Sequence, residues 1–149
     1  MLRVLLCLGM LCACAGAWAD DVDDIRALIE RYAALEGDLD AQAELIRDDR
    51  IMIAGGVRQT DQAANMAVQQ AERDHRAALN GGPAQWIIRV EDLMVRVYGD
   101  TAVASYVRLG NIFPPGVEPI TNPPLWTTLV LVKERGGWRI AHTHLSPAG

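Results

Sequence analysis

From Val22 to Glu36 the apolar residues Val22, Ile25, Leu28, Ile29, Tyr32, Ala33 and Leu35 recur at steps of three and four, the spacing that gathers them on one helical face. Gly37 ends that helix, and Asp38 is placed to cap a second, because its carboxylate can accept the free amide hydrogens of a first turn. Leu39, Ala43, Leu45 and Ile46 then fall on the buried side. Asp48-Asp49 closes the pair, Ile51-Met52-Ile53 reads as a short strand, and Gly55-Gly56 marks a turn, since glycine takes positive φ at little cost. Thr60 or Asp61 caps a longer third helix that runs to about Leu79 and stops at Asn80-Gly81-Gly82-Pro83.

After Pro83 the period changes. Residues 85–98, 101–112, 125–134 and 138–145 are rich in β-branched and aromatic side chains, and glycine or proline punctuation separates them. This pattern predicts four antiparallel strands. The proline-rich stretch from Pro114 to Pro124 cannot donate regularly to a ladder and is expected to form an ordered, irregular flap at the sheet's end. The fold class is therefore α+β: three N-terminal helices packed on a curved antiparallel sheet, with a cavity where the sheet wraps round them.

The N-terminus sets the compartment. Arg3 is followed by an apolar or small-residue run from Val4 to Ala15, and Ala17-Trp18-Ala19 has the small-x-small pattern of a leader-peptidase site before Asp20-Asp21. Residues 1–19 are expected to be a signal peptide and 20–149 a single mature domain, periplasmic or secreted, without a transmembrane anchor. Cys7, Cys12 and Cys14 all lie in that leader, so no disulfide is expected in the domain. Leu11-Cys12-Ala13-Cys14 approximates a lipobox, which leaves a lipoprotein anchored through Cys14 as the alternative. The formal charge of −5 is spread among mixed acidic and basic residues with no Lys/Arg block, which argues against a nucleic-acid partner.

A family resemblance lies in three segments. Ile25 to Asp49, IRALIERYAALEGDLDAQAELIRDD, resembles the opening of NTF2-like proteins (SnoaL-like or DUF4440-type), where an I-xx-LI-xx-Y helix leads into a GDLDA helix. Val97 to Tyr106, VYGDTAVASY, resembles their central strand pair, and Gly136 to Pro147, GGWRIAHTHLSP, their closing strand. The resemblance covers nearly all of the mature chain and implies a cone-shaped pocket. It does not supply a reaction, because the inward Asp base of the ketosteroid isomerases and the Asp-His arrangement of scytalone dehydratase cannot be aligned here.

Candidate chemistry follows from alternation. On a regular last strand, Trp138, Ile140, His142 and His144 share one face and Arg139, Ala141, Thr143 and Leu145 the other. The Trp/Ile face is the more apolar and is expected to point inward, carrying His142 and His144 into the cone as candidate general acid and base, since imidazole titrates near neutrality. The plainer reading makes one histidine a structural donor and leaves the other at the rim. A metal would need a third ligand beside this H-x-H pair, and none is evident nearby; Glu91 and Asp92 on a neighbouring strand are the candidate donors, between which only the strand register could choose, and no metal or cofactor is expected. Tyr32 on the first helix is a third candidate catalytic residue, as a hydrogen-bond donor to a ligand oxygen. Trp86, Asp92, Arg96 and Trp138 are candidate ligand-binding residues, with Asp92 and Arg96 on the Trp86 side unless a bulge intervenes.

The expected function is binding of a small, partly apolar molecule in the cone, with possible acid–base chemistry of the isomerase or lyase kind. The alternative is a non-catalytic dimeric binding or interaction module. A homodimer through the outer sheet face is expected in either case, with Trp126, Val130, Val132 and Tyr106 as its apolar set.

Overall fold

A computed structural model describes residues 12–149, with side chains described from Asp20 onward. The candidate cleavage site at Ala19 and the lipobox residue Cys14 lie outside the described side chains. Helix α1 (Cys12–Ala34) buries Ile25, Ile29 and Ala33, as its sequence periodicity requires, and packs on the sheet. A 3-10 turn (Leu35–Gly37) leads to the short α2 (Leu39–Ala43), where the Asp38 carboxylate accepts from the Ala41 amide at 3.1 Å. Strands β1 (Ile46–Ala54) and β2 (Val57–Gln59) form a hairpin whose turn residues Gly55 and Gly56 have φ of 57° and 78°, the pair of positive values a tight hairpin needs. Helix α3 (Gln62–Asn80) is capped by Asp61, which accepts from the Ala64 amide at 2.9 Å, and ends at left-handed Gly81.

The chain then runs through β3 (Gln85–Tyr98), β4 (Thr101–Phe113), β5 (Ile120–Thr121), β6 (Leu125–Glu134) and β7 (Gly137–Pro147). The sheet order is β2-β1-β7-β6-β4-β3, with β5 paired to β4. The four long strands are antiparallel, as their pattern predicts, but β1 joins β7 in parallel and makes the sheet mixed. Strand β1 also starts earlier than its apolar triplet suggests. Asp48-Asp49, expected to close the helix pair, lies inside this strand, and Arg47 and Asp49 form a surface ion network with Glu134 of β6. Within the proline-rich segment, Ile120-Thr121 does reach the β4 ladder, and the Asn122 amide donates to Gly110 O at 2.8 Å. Among the described residues no helix is long and apolar enough to cross a membrane.

Two bulges decide which side chains face the cone. On β7, Ile140 pairs with Leu131 and His142 with Val130, so Ala141 is one residue more than β6 can match. Trp138 and Ile140 point inward before the bulge, and Thr143 and Leu145 after it; His142 and His144 are turned to the outer face. On β3, Glu91 pairs with Val107 and Met94 with Ser105, leaving Asp92 and Leu93 opposite the single residue Tyr106. Asp92 takes φ of 54°, a left-handed value that Asp tolerates better than most residues. The inward set therefore passes from Trp86, Ile88 and Val90 to Leu93, Val95 and Val97.

The apolar core joins Ile25 and Ile29 of α1 to Ile46, Ala102, Ala104, Leu129, Leu131 and Ile140 of the sheet. Each fully buried isoleucine or leucine contributes about 1.5–3 kcal/mol relative to exposure. One polar clamp closes this end of the core. The buried Asp21 carboxylate accepts from Lys133 Nζ at 2.5 Å and from Trp138 Nε1 at 3.1 Å, fastening α1 to β6 and β7. The Lys133 hydrogen bond, aided by Trp138 and opposed by burial, holds the Asp21 carboxyl below its ordinary range. A carboxyl depressed in the folded state stabilises above its unfolded pKa of about 3.9, and that contribution disappears as pH falls through the folded value. Asp21→Asn is expected to flatten the acid limb of the stability curve below about pH 4. Urea titrations from pH 2 to 7 that give wild type and variant the same acid limb would remove Asp21 from this role.

Candidate functional site

Beyond Tyr106 the core gives way to a cavity of about 140 Å³ between the helices and the sheet. Much of its wall is polar: Tyr32 of α1, Glu36 after it, Gln42 of α2, Arg50 of β1, Arg108 of β4 and Thr143 of β7 all border it. Met52, Met66, Tyr106 and Leu145 supply the apolar part. Local sequence puts each group there. Arg108 lies two residues on from inward Tyr106, and Gly110, two further, leaves room for its guanidinium: a Cβ there would lie 3.2 Å from Arg108 Nη1.

Glu36 organises one side of the cavity. Its Oε1 lies 3.1 Å from Arg108 Nη2 and 3.3 Å from Arg73 Nη2, with side-chain exposures of 14–16% for all three residues. Arg73 also donates to the Glu36 carbonyl, and Gln42 Nε2 donates to Tyr32 O at 3.0 Å and to Glu36 Oε2 at 3.4 Å. The cluster ties α1, α2, α3 and β4 together at the cavity mouth. Burial draws the Arg73 guanidinium below its ordinary pKa while Glu36 pulls it the other way.

Arg50 is arranged differently. It is 3% exposed, no carboxylate of the described residues pairs with it, and its Nε has no hydrogen-bond acceptor. Among the described residues, its one side-chain hydrogen-bond contact is Nη1 to the Tyr32 hydroxyl at 3.5 Å, the outer limit of such a bond. Burial raises the Tyr32 phenol above its ordinary pKa, with Arg50 opposing, so at neutral pH it remains a donor. The Thr143 hydroxyl, also buried on this wall, has no partner, while that of Thr127 lies against the Tyr106 phenol.

A second cavity of about 220 Å³ opens at the rim between α3, the ends of β3 and β4, and the proline-rich loop, bordered by Trp86, Ile112, Pro114 and Val117. Arg73 stands over the Trp86 ring, 4.4 Å from its centre, and separates this space from the Glu36 cluster.

The family model described as a SnoaL-like domain matches residues 25–149. The chain belongs to the SnoaL-like family. A solved NTF2-like protein with a cystatin-like fold from Novosphingobium aromaticivorans is 20% identical, with 96% of this chain and 92% of that chain covered and a TM-score of 0.75. A candidate dehydratase of the NTF2-like family from Streptomyces avermitilis is 16% identical over 87% of this chain and 97% of that chain, with a TM-score of 0.69. A candidate aromatic ring hydroxylase from N. aromaticivorans is 17% identical over 88% and 91%, also with a TM-score of 0.69. At these identities the solved structures establish the fold of this SnoaL-like chain. No curated protein sequence matches it significantly.

The sequence-predicted residues are distributed as follows. Tyr32 borders the cone cavity. His142 and His144 do not: the Ala141 bulge turns both outward, beside Val130 and Thr128, and His144 is exposed. The expectation that they face the cone is corrected on that ground. Asp92 and Arg96 are likewise exposed on the far side of β3, because the bulge after Glu91 reverses its alternation. Trp138 faces inward but lies at the opposite end of the core, bonded to Asp21, and Trp86 borders the rim cavity rather than the cone. Tyr106, expected on the outer face, is 1% exposed and inward. The outer face does carry Trp126 at 42% exposure and the half-buried Val130 and Val132. Among the described residues no three His, Cys, Asp or Glu side chains cluster as a metal site would require.

Sequence reasoning missed Arg50, Arg108, Glu36, Gln42 and Thr143. Arg108 shares a face with Ala102, Ala104 and Tyr106 by plain alternation, so the expectation that Tyr106 faces outward carried Arg108 out with it. Thr143 required knowing the bulge, and Arg50 required the parallel pairing of β1 with β7.

Proposed function

We propose that this SnoaL-like chain is an exported protein whose cone cavity binds a small, partly apolar molecule. The observation that carries the reading is a set of buried polar groups without partners, Arg50 Nε and the Thr143 hydroxyl, around one cavity that also has methionine and leucine walls. Buried donors and acceptors are normally satisfied, so such a cluster is best explained by groups that a ligand completes. The leader-like residues 1–19 support export.

Binding is favoured over turnover. The only carboxylate bordering the cavity, among the described residues, is Glu36, and two arginines hold it. A general base would need a freer group. Tyr32 could donate a proton or a hydrogen bond, whereas His142 and His144 point away from the space where a ligand would sit. The exposed apolar residues Trp126, Val103 and Met94 on the outer sheet face favour a homodimer formed there.

A native mass-spectrometric screen of small ring-bearing and branched-chain compounds is expected to give a one-to-one complex per chain at micromolar to millimolar ligand. No complex with any compound at millimolar concentration would contradict the reading.

A further inference from the structure

We infer that the cone is a receptor for a small organic carboxylate, with Arg50 as its counter-charge; this rests on the cone-binding reading above. A guanidinium does not lose its proton in proteins, so burial cannot be relieved by neutralisation as it can for lysine or histidine. Arg50 is 97% removed from solvent contact by its neighbours, being 3% exposed, and no acidic side chain of the described residues reaches it. Four guanidiniums, those of Arg50, Arg73, Arg76 and Arg108, border the cone and its mouth against the carboxylates of Glu36 and Glu72. Glu36 is shared by Arg73 and Arg108, and Glu72 pairs with Arg76. Arg50 is the member of this set that no carboxylate of the described residues pairs with.

The groups beside Arg50 suit a carboxylate. The Tyr32 hydroxyl receives only the long 3.5 Å contact from Arg50 and keeps its own hydrogen to donate. The unpartnered Thr143 hydroxyl adds a further donor on the same wall. A carboxylate accepts several such bonds, and charge-assisted bonds from arginine are the strong ones. The remaining wall sets the body of the ligand. Met52, Met66, Tyr106 and Leu145 line a space of about 140 Å³. An apolar cavity of roughly 150 Å³ admits one benzene ring. The fitting class is a monocarboxylate with one ring or a short branched chain; a bulkier acid would have to extend past Glu36 and Arg73 toward the rim.

Calorimetry on the purified protein tests this with benzoate, phenylacetate and isovalerate, each paired with its neutral amide, and with inorganic phosphate and chloride alone. At least one carboxylate is expected to bind ten-fold or more tightly than its amide and to shift the Thr127 and Thr143 methyl resonances. Arg50→Met should weaken that acid at least ten-fold and leave the amide little changed, with Arg50→Lys recovering part of the loss. Should Arg50→Met fail to fold, the acid–amide comparison on the wild type decides alone. Equal binding of acid and amide in the cone would overturn the carboxylate inference and leave the cone-binding reading standing. Phosphate or chloride producing the same shifts at the same affinity would make the occupant an inorganic ion and overturn it as well. If none of the three acids perturbs the cone the inference fails, and the cone-binding reading fails with it only when neutral compounds also leave the cone unperturbed.

Discussion

Thr143→Lys is expected to destabilise the fold by about 3–5 kcal/mol, the range for leaving an uncompensated charge in an interior, whereas His144→Lys should stay within about 0.5 kcal/mol. The two positions are adjacent on β7, and regular alternation from Ile140 would reverse the outcome. With Ala141 bulged out, Thr143 is 1% exposed and borders the same cavity as Arg50 and Arg108, so a lysine there adds a further cation to an already positive space. His144 faces solvent beside Thr128. Urea denaturation of the two variants reads the difference directly. A stable Thr143→Lys with an unfolded His144→Lys would mean that β7 runs without the bulge and that the histidines face the cone.

Glu36→Gln is expected to cost on the order of 3 kcal/mol, because it strips the shared counter-charge from two arginines that are about 85% shielded from solvent. The amide can still accept a hydrogen bond from one of them, which keeps the loss at the lower end of the range for broken buried pairs. The exposed Glu72–Arg76 pair on α3 is the internal comparison, with both side chains more than half exposed. Glu72→Gln should cost no more than about 0.5 kcal/mol. Equal denaturant midpoints for the two variants would show that the Glu36 cluster does not hold the cavity mouth together.

The architecture was legible because it rests on signals that survive in one sequence. Ile25, Ile29 and Ala33 keep helical spacing, Asp38 and Asp61 cap as their side chains dictate, and the glycine-punctuated runs after Pro83 become β3, β4, β6 and β7. The site was less legible, for a specific physical reason. Strand alternation has a period of two, so one extra residue exchanges the faces for everything beyond it. A single bulge at Ala141 moved His142 and His144 out and Thr143 and Leu145 in, and another at Asp92 did the same to Asp92 and Arg96. Neither has a glycine to announce it. Arg50 escaped notice because it lies between Asp48-Asp49, which reads as the close of the helix pair, and the apolar triplet, and only pairing with a strand some 90 residues later draws it into the sheet. Tyr32 was found because helix periodicity carries no such ambiguity over three turns.

Methyl NMR of the protein with a ligand from the small-molecule screen separates the two faces of the sheet in one experiment. The inner set is Met52, Met66, Thr127, Thr143 and Leu145, and the outer set is Ile51, Met94, Val103 and Val130. Saturating ligand is expected to shift the inner methyls and to leave the outer ones in place. Shifts confined to Ile51, Val103 and Val130 around His142, with the inner methyls unmoved, would put the binding site on the outer face and contradict the assignment of function to the cone.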